Sequence, residues 1–261
     1  MVVFFDIDGT IIDNETQIIP ESTLRAVKAL EDGGHLAVVN TGRPYAHIDP
    51  RVRQIPFGGW VCGCGMEIRL DGSWLYRRCP TDEICAGILA AARECGMQVL
   101  YEGQEGVLYT DGSNTVHPKL LQEANGMRGK GFRIEDIASL PVPRFMKLIT
   151  YDWEQCRREE FIRRVSPWMD CIDRGDTMLE LVLKGSTKAG GMEALLRHLN
   201  VPREQTFAIG DSTNDLPMFS VAARGICMGG GMEELKAKAD FVTATVLEDG
   251  IEKALKHYAL I

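Results

Sequence analysis

The stretch Val2-Val3-Phe4-Phe5-Asp6-Ile7-Asp8-Gly9-Thr10 decides the fold of this chain. Four apolar residues rich in β-formers read as a short strand buried on both faces. Two carboxylates two positions apart follow, and extended geometry puts both on one side. Gly9 then allows a sharp turn without a Cβ penalty. Paired carboxylates repel each other and cost desolvation unless a cation or a proton compensates. At the carboxyl end of a parallel strand, where α/β proteins bind ligands, a divalent cation is the natural compensator. Alone, the pattern fits a turn cap and a solvated acid equally well.

Working outward, Thr23 to Gly33 has the periodicity of an amphipathic helix, with Gly33-Gly34 as its stop. Leu36 to Val39 is a second continuous apolar run and ends in Asn40-Thr41-Gly42-Arg43. Strand, helix, strand in this order implies a right-handed crossover and a parallel sheet. Thr41 then shares the edge of Asp6, and its hydroxyl, a glycine-freed amide and Arg43 can cradle a phosphate. A third buried strand, Thr206 to Ile209, ends in Gly210-Asp211-Ser212-Thr213-Asn214-Asp215, and Lys188 lies near the start of a helix running to Leu199. Between these regions Asp71-Gly72 marks a hairpin. Cys62-Gly63-Cys64-Gly65 lacks the spacing of a structural zinc site and reads as small residues on a strand passing near the site. From Cys79 the pattern changes to helices interleaved with short alternating strands, Thr81–Cys95 and Trp153–Val165 being the predicted helices, which suggests an α+β unit with one open sheet.

With 261 residues, the chain is long enough for one large or two smaller domains. A net charge of −8 argues against nucleic-acid and anionic-membrane partners, while leaving room for an anionic small substrate beside a metal or lysine. The eight cysteines, with no basic leader before Asp6, are expected to be reduced thiols of a cytoplasmic protein. No apolar run reaches the roughly 20 residues of a membrane span.

Asp-x-Asp-Gly-Thr, Thr-Gly-Arg, a lone lysine and Gly-Asp-Ser-x-Asn-Asp, in that order, resemble the four motifs of haloacid dehalogenase superfamily phosphatases. The likeness is to the Cof-like group with a large α/β cap (C2-type, IIB) and covers nearly the whole chain. The ending Ala239-Asp240-Phe241-Val242-Thr243 with Glu248-Asp249-Gly250-Ile251 also resembles that group's signature. Cys62-Gly63 stands where the group usually has Asn-Gly.

The resemblance implies an α/β fold: a Rossmann-like core with a parallel sheet, from residues 1–79 and 184–261, and an inserted cap at 80–183 that sets specificity. It implies a Mg²⁺-dependent phosphohydrolase acting on a small phosphate ester through an aspartyl-phosphate. Asp6 is the implied nucleophile and Asp8 the general acid and base. Asp6, Asp8 through its main-chain carbonyl, Asp211 and Asp215 are the implied metal ligands. Thr41, Gly42, Arg43, Lys188 and Asn214 are the implied substrate and phosphate binders. Among cap residues, His117, Arg144, Lys147 and Glu180 are candidates to face the substrate. A sugar-phosphate mutase and a non-catalytic sugar-phosphate sensor are the alternatives; monomer and homodimer both remain open.

Overall fold

The computed structural model describes all residues, Met1–Ile261. In chain order the first elements are β1 (Val2–Phe5), α1 (Glu21–Asp32), β2 (Leu36–Asn40), α2 (Pro50–Arg53), β3 (Gly59–Cys62), β4 (Glu67–Leu70) and β5 (Ser73–Arg77). Next come α3 (Asp82–Cys95), β6 (Gln98–Glu102), β7 (Val107–Thr110), α4 (Pro118–Gly129), β8 (Arg133–Asp136), β9 (Lys147–Tyr151), α5 (Arg158–Val165), β10 (Met169–Gly175) and β11 (Met178–Leu183). The chain closes with α6 (Lys188–Leu199), β12 (Thr206–Gly210), α7 (Leu216–Val221), β13 (Arg224–Cys227), α8 (Glu233–Lys236), β14 (Phe241–Val242) and α9 (Gly250–His257). Two compact units result, one of Met1–Arg77 with Thr187–Ile261, the other of Arg78–Ser186.

The first unit is built on an eight-stranded sheet of order β14-β13-β12-β1-β2-β3-β4-β5. β14 through β3 run parallel, and β4 and β5 extend the sheet as an antiparallel hairpin. The apolar run of β1 is buried throughout because helices cover both faces. Val3 and Phe5 pack in the cluster holding Val27, Leu30, Ile251 and Leu255 of α1 and α9. Val2 and Phe4 alternate to the other side, among Met192, Leu195, Met218 and Phe219 of α6 and α7. Phe4 is fully buried, so truncation to Ala is worth about 3–5 kcal/mol.

β1 lies between β2 and β12, with Phe5 opposite both Val39 and Ile209. The chain leaves β1 toward β2 and β3 on one side and returns through β12 and β13 on the other. Its carboxyl end is therefore the point at which strand order reverses, and ligand crevices in open α/β sheets form there. Asp6, Thr41 and Asp211 each follow one of these three strands.

In the second unit the sheet order is β10-β11-β9-β6-β7-β8, antiparallel except for β7 with β8. α3 and α5 cover one face. This is one open sheet, as the sequence suggests, and α4 packs Leu120, Ala124 and Met127 onto Leu100, Leu108 and Ile149 of its opposite face. The sequence does not announce α4, because Asn125, Gly126 and Gly129 dilute its apolar stripe. The α5 helix begins at Arg158, not Trp153, with Glu154 at φ +41° in the preceding turn.

By strand alternation Lys147, Glu180 and Glu102 share the face of Ile149. Lys147 and Glu180 form a buried ion pair, Glu102 lies 3.6 Å from the same ammonium, and Arg174 pairs with the second Glu180 oxygen. Burial pushes the Glu180 carboxyl up, but Lys147 and Arg174 outweigh it and hold the group down at about 2, against an ordinary 4.5. A lowered folded-state value stabilises the fold above the unfolded value and loses that effect as pH falls. Stability of this unit should therefore drop by about 3 kcal/mol between pH 4.5 and 2. Urea titrations across that range check it, and Glu180→Gln should flatten the dependence.

Candidate active site

Past β1 the backbone folds into a tight turn. Ile7 carbonyl accepts from the amides of Ile11 and Ile12 at 2.8 and 3.0 Å, and Gly9 N–H donates to Ile12 carbonyl at 2.8 Å. Gly9 has φ +77°, and a Cβ there would sit 2.2 Å from Asp211 Oδ2. Glycine is required on both counts: for the left-handed backbone and for the approach of the loop after β12.

That loop organises itself around Asp215. Its Oδ2 accepts from the amides of Asp211 and Ser212 at 2.9 and 3.1 Å, while Ser212 caps in return. A Cβ on Gly210 would lie 2.4 Å from the Asp215 carboxyl. Asp215 Oδ1 faces Lys188 Nζ at 2.7 Å. Lys188 Nζ also reaches Asp6 Oδ1 at 2.8 Å and Asn214 Oδ1 at 3.1 Å, with all three ionised side chains almost wholly buried. Thr187 caps α6 by accepting from Gly190 N–H at 2.9 Å, so Lys188 is the helix's first residue.

Asp6, Asp211 and Asp215 offer carboxylate oxygens within 4.8 Å of one another, and Asp211 Oδ1 is buried without a hydrogen-bond partner. An all-oxygen donor set with an orphaned carboxylate oxygen suits a hard divalent cation. Asp8 does not join this set by its side chain. Burial pushes Asp6 well above the ordinary carboxyl value and Asp215 and Asp8 add to the rise, against the pull of Lys188. Asp211 is raised to about 7, chiefly by burial and then by Asp215. For Lys188, burial works against the charged form, and Asp6 and Asp215 more than reverse it, raising the ammonium above its ordinary value.

After β2, Thr41 is buried; its N–H donates to Val61 carbonyl at 2.9 Å and its hydroxyl accepts from Arg43 N–H at 3.2 Å. Gly42 forms the bend between them. Arg43 extends to Asp8, not outward: Nε donates to Oδ2 at 2.7 Å and Nη2 to Oδ1 at 2.9 Å. The residues read as a passing strand, Gly63 to Gly65, form a turn instead, because positions 63, 64 and 65 all take positive φ. Gly63 N–H donates to Arg43 carbonyl at 2.8 Å and Cys64 N–H to Thr41 carbonyl at 3.1 Å, so this turn braces the Thr-Gly-Arg loop. Glu67, also buried, fixes the loop's far end through Tyr45 N–H and pairs with Arg77. Sequence reasoning passed over Glu67 and Asn40; a polar Asn40 closing an otherwise apolar run was the available signal.

A sequence model of the haloacid dehalogenase-like hydrolases matches residues 3–255. The chain belongs to this family. It is 26% identical to the 5-amino-6-(5-phospho-D-ribitylamino)uracil phosphatase YitU of Bacillus subtilis over 98% of this chain and 97% of that protein. Among solved structures, the phosphatase BT1666 from Bacteroides thetaiotaomicron is similar at TM-score 0.82 and 27% identity, covering 100% of this chain and 95% of that one. The subclass IIB sugar phosphatase BT4131 is similar at TM-score 0.78 and 25% identity, covering 100% and 99%. This haloacid dehalogenase-like protein is a hydrolase of phosphate esters.

In the second unit the four candidate residues do not form one group. Arg144 is exposed and holds Asp82 through two hydrogen bonds at 2.9 Å. His117 stacks on Tyr151, with ring centroids 4.9 Å apart, and meets Trp153 edge-on. Lys147 and Glu180 pair with each other. No helix is long and apolar enough to cross a membrane.

If this acidic cluster holds a divalent cation, 5 mM MgCl₂ should raise the thermal midpoint of the wild type and leave Asp211→Ala unmoved. Saturation to 100-fold above the dissociation constant corresponds to about 2.7 kcal/mol. Ligands must lose their protons to bind metal, so the shift should shrink as pH drops below about 7. Differential scanning fluorimetry over a pH series measures both.

Proposed function

We propose that this protein is a Mg²⁺-dependent phosphatase of small phosphorylated metabolites working through an aspartyl-phosphate. The observation that carries the reading is the buried Lys188 ammonium joining Asp6 to Asp215, beside an unpartnered Asp211 oxygen. Two of the named similar proteins act on phosphorylated small molecules, a ribitylaminouracil phosphate and sugar phosphates, which favours a metabolite of that size.

Asp6 attacks phosphorus, the P–O bond to the alcohol breaks, and the departing oxygen takes a proton from Asp8. Asp8 then takes a proton from water as that water attacks the aspartyl-phosphate, returning Asp6 and releasing inorganic phosphate. In the structure Arg43 donates one hydrogen bond to each Asp8 oxygen, which orients the carboxylate and leaves a lone pair on each oxygen for the proton it would carry. Lys188 holds Asp6 in place and offers its charge to the phosphoryl oxygens, where positioning and electrostatics supply most of the catalysis. The Thr41 hydroxyl would donate to the same oxygens. Asp6 and Asp211 would hold the Mg²⁺, with Asp215 organising their loop; the ion would neutralise charge on the phosphoryl group. The sugar-phosphate mutase stands as the second reading, favoured only by the shared motifs; the sensor is disfavoured because both Asp6 and Asp8 are in place.

Phosphate release from a panel of sugar and cofactor phosphates should require Mg²⁺, vanish in EDTA, and fall at least about 10³-fold in Asp6→Asn. Isomerised hexose phosphate without release would turn the reading to the mutase. Binding with neither product would turn it to the sensor.

A further inference from the structure

Asn40 closes β2 and is completely buried. Its side-chain N–H donates to the main-chain carbonyl of Lys188 at 3.1 Å, a residue 148 positions away. This one hydrogen bond ties the strand that delivers Thr41 to the residue that pairs with Asp6. An amide buried at the tip of an apolar strand costs desolvation unless it is bonded, and its Oδ1 has no partner. The cost is tolerated where the donor is needed.

A second constraint acts on the same helix start from another side. Gly191 lies so close to β3 and the following turn that a Cβ would stand 2.4 Å from Val61 Cγ1 and 2.7 Å from Gly65 Cα. A Cβ on Gly65, at φ +83°, would stand 2.7 Å from Thr187 carbonyl. The first turn of α6 is thus held close to Val61 and Gly65 of β3 and its following turn, and bonded to Asn40 at the end of the neighbouring strand β2. Lys188 is a flexible four-carbon chain whose ammonium must meet Asp6, Asp215 and Asn214 at once, so its backbone has little room to drift.

We propose that Asn40 is a positioning residue for phosphoryl transfer, acting through the main chain of Lys188. The proposal deepens the phosphatase reading and rests on it for its kinetic half. Asn40→Leu keeps the branching and the heavy-atom count and removes the donor. With p-nitrophenyl phosphate as probe, kcat should fall about ten- to a hundredfold, the penalty of misplacing a catalytic group by a fraction of an ångström to 1 Å. The inhibition constant for inorganic phosphate should rise severalfold, and amide hydrogen exchange at Lys188–Gly191 should quicken. Gly191→Ala, which displaces the same turn by crowding Val61 and Gly65, should give the same kinetic pattern.

Wild-type kcat and phosphate inhibition in Asn40→Leu, with only a lowered thermal midpoint, would overturn the proposal by reducing Asn40 to a packing residue. Should Asn40→Leu fail to fold, Asn40→Ala removes the donor without adding bulk and carries the same expectations. Absence of phosphate release in the wild type would count against the phosphatase reading alone. The hydrogen-exchange comparison then decides the positioning role, unchanged exchange at 188–191 overturning it.

Discussion

One buried ammonium holds the catalytic end of this sheet together. Asp6, Asp211 and Asp215 crowd within 4.8 Å, and Lys188 supplies the only cationic side chain in contact with two of them. Removing one partner from such a buried cluster is typically costly by about 3–5 kcal/mol, since the remaining charges stay desolvated. The arrangement is therefore weakly justified by stability alone. In the proposed phosphatase it keeps negative charge concentrated where a phosphoryl group and a cation would meet, and Lys188 offsets the repulsion among the acids.

Much of the surrounding architecture serves that contact. Three parallel strands bring Asp6, Thr41 and Asp211 to one edge, and glycines stand at the closest approaches around it. Gly9 gives way to Asp211, Gly210 to Asp215, and Gly191 to the turn after β3. Asp215 spends one oxygen on the loop's own amides and the other on Lys188, so it acts as an organiser of the acidic loop as well as part of its charge. Arg43 shows the same economy: it stabilises Asp8 where a substrate-facing arginine was expected.

The parts legible in the sequence were those set by local pattern. Val2–Phe5, Leu36–Val39 and Thr206–Ile209 are largely apolar runs followed by polar residues, and all three lie side by side in the parallel sheet. Asp71-Gly72 predicted its hairpin, and both residues take positive φ as that turn demands. What escaped depended on partners distant in the chain. Nothing near Arg43 says that its guanidinium will turn to Asp8, and nothing near Asn40 names Lys188 as its acceptor. α4 was missed because its burial comes from Leu100 and Ile149 of other strands, not from a strong stripe of its own. Cys62 does lie on a strand, but Gly63–Gly65 reads as its continuation because nothing in the sequence shows that Cys64 adopts a left-handed backbone without being glycine.

The pairing of β1 with β12 also sets an order of events during synthesis. Val2 lies opposite Thr206, so the first strand made cannot gain its second parallel neighbour until the chain has grown past that residue. At roughly 5–20 residues per second, β1 waits many seconds with one edge unpaired. The unit Arg78–Ser186, by contrast, is continuous, and every strand of its sheet lies within it. Its own pairing is complete before the last strands of the larger sheet leave the ribosome.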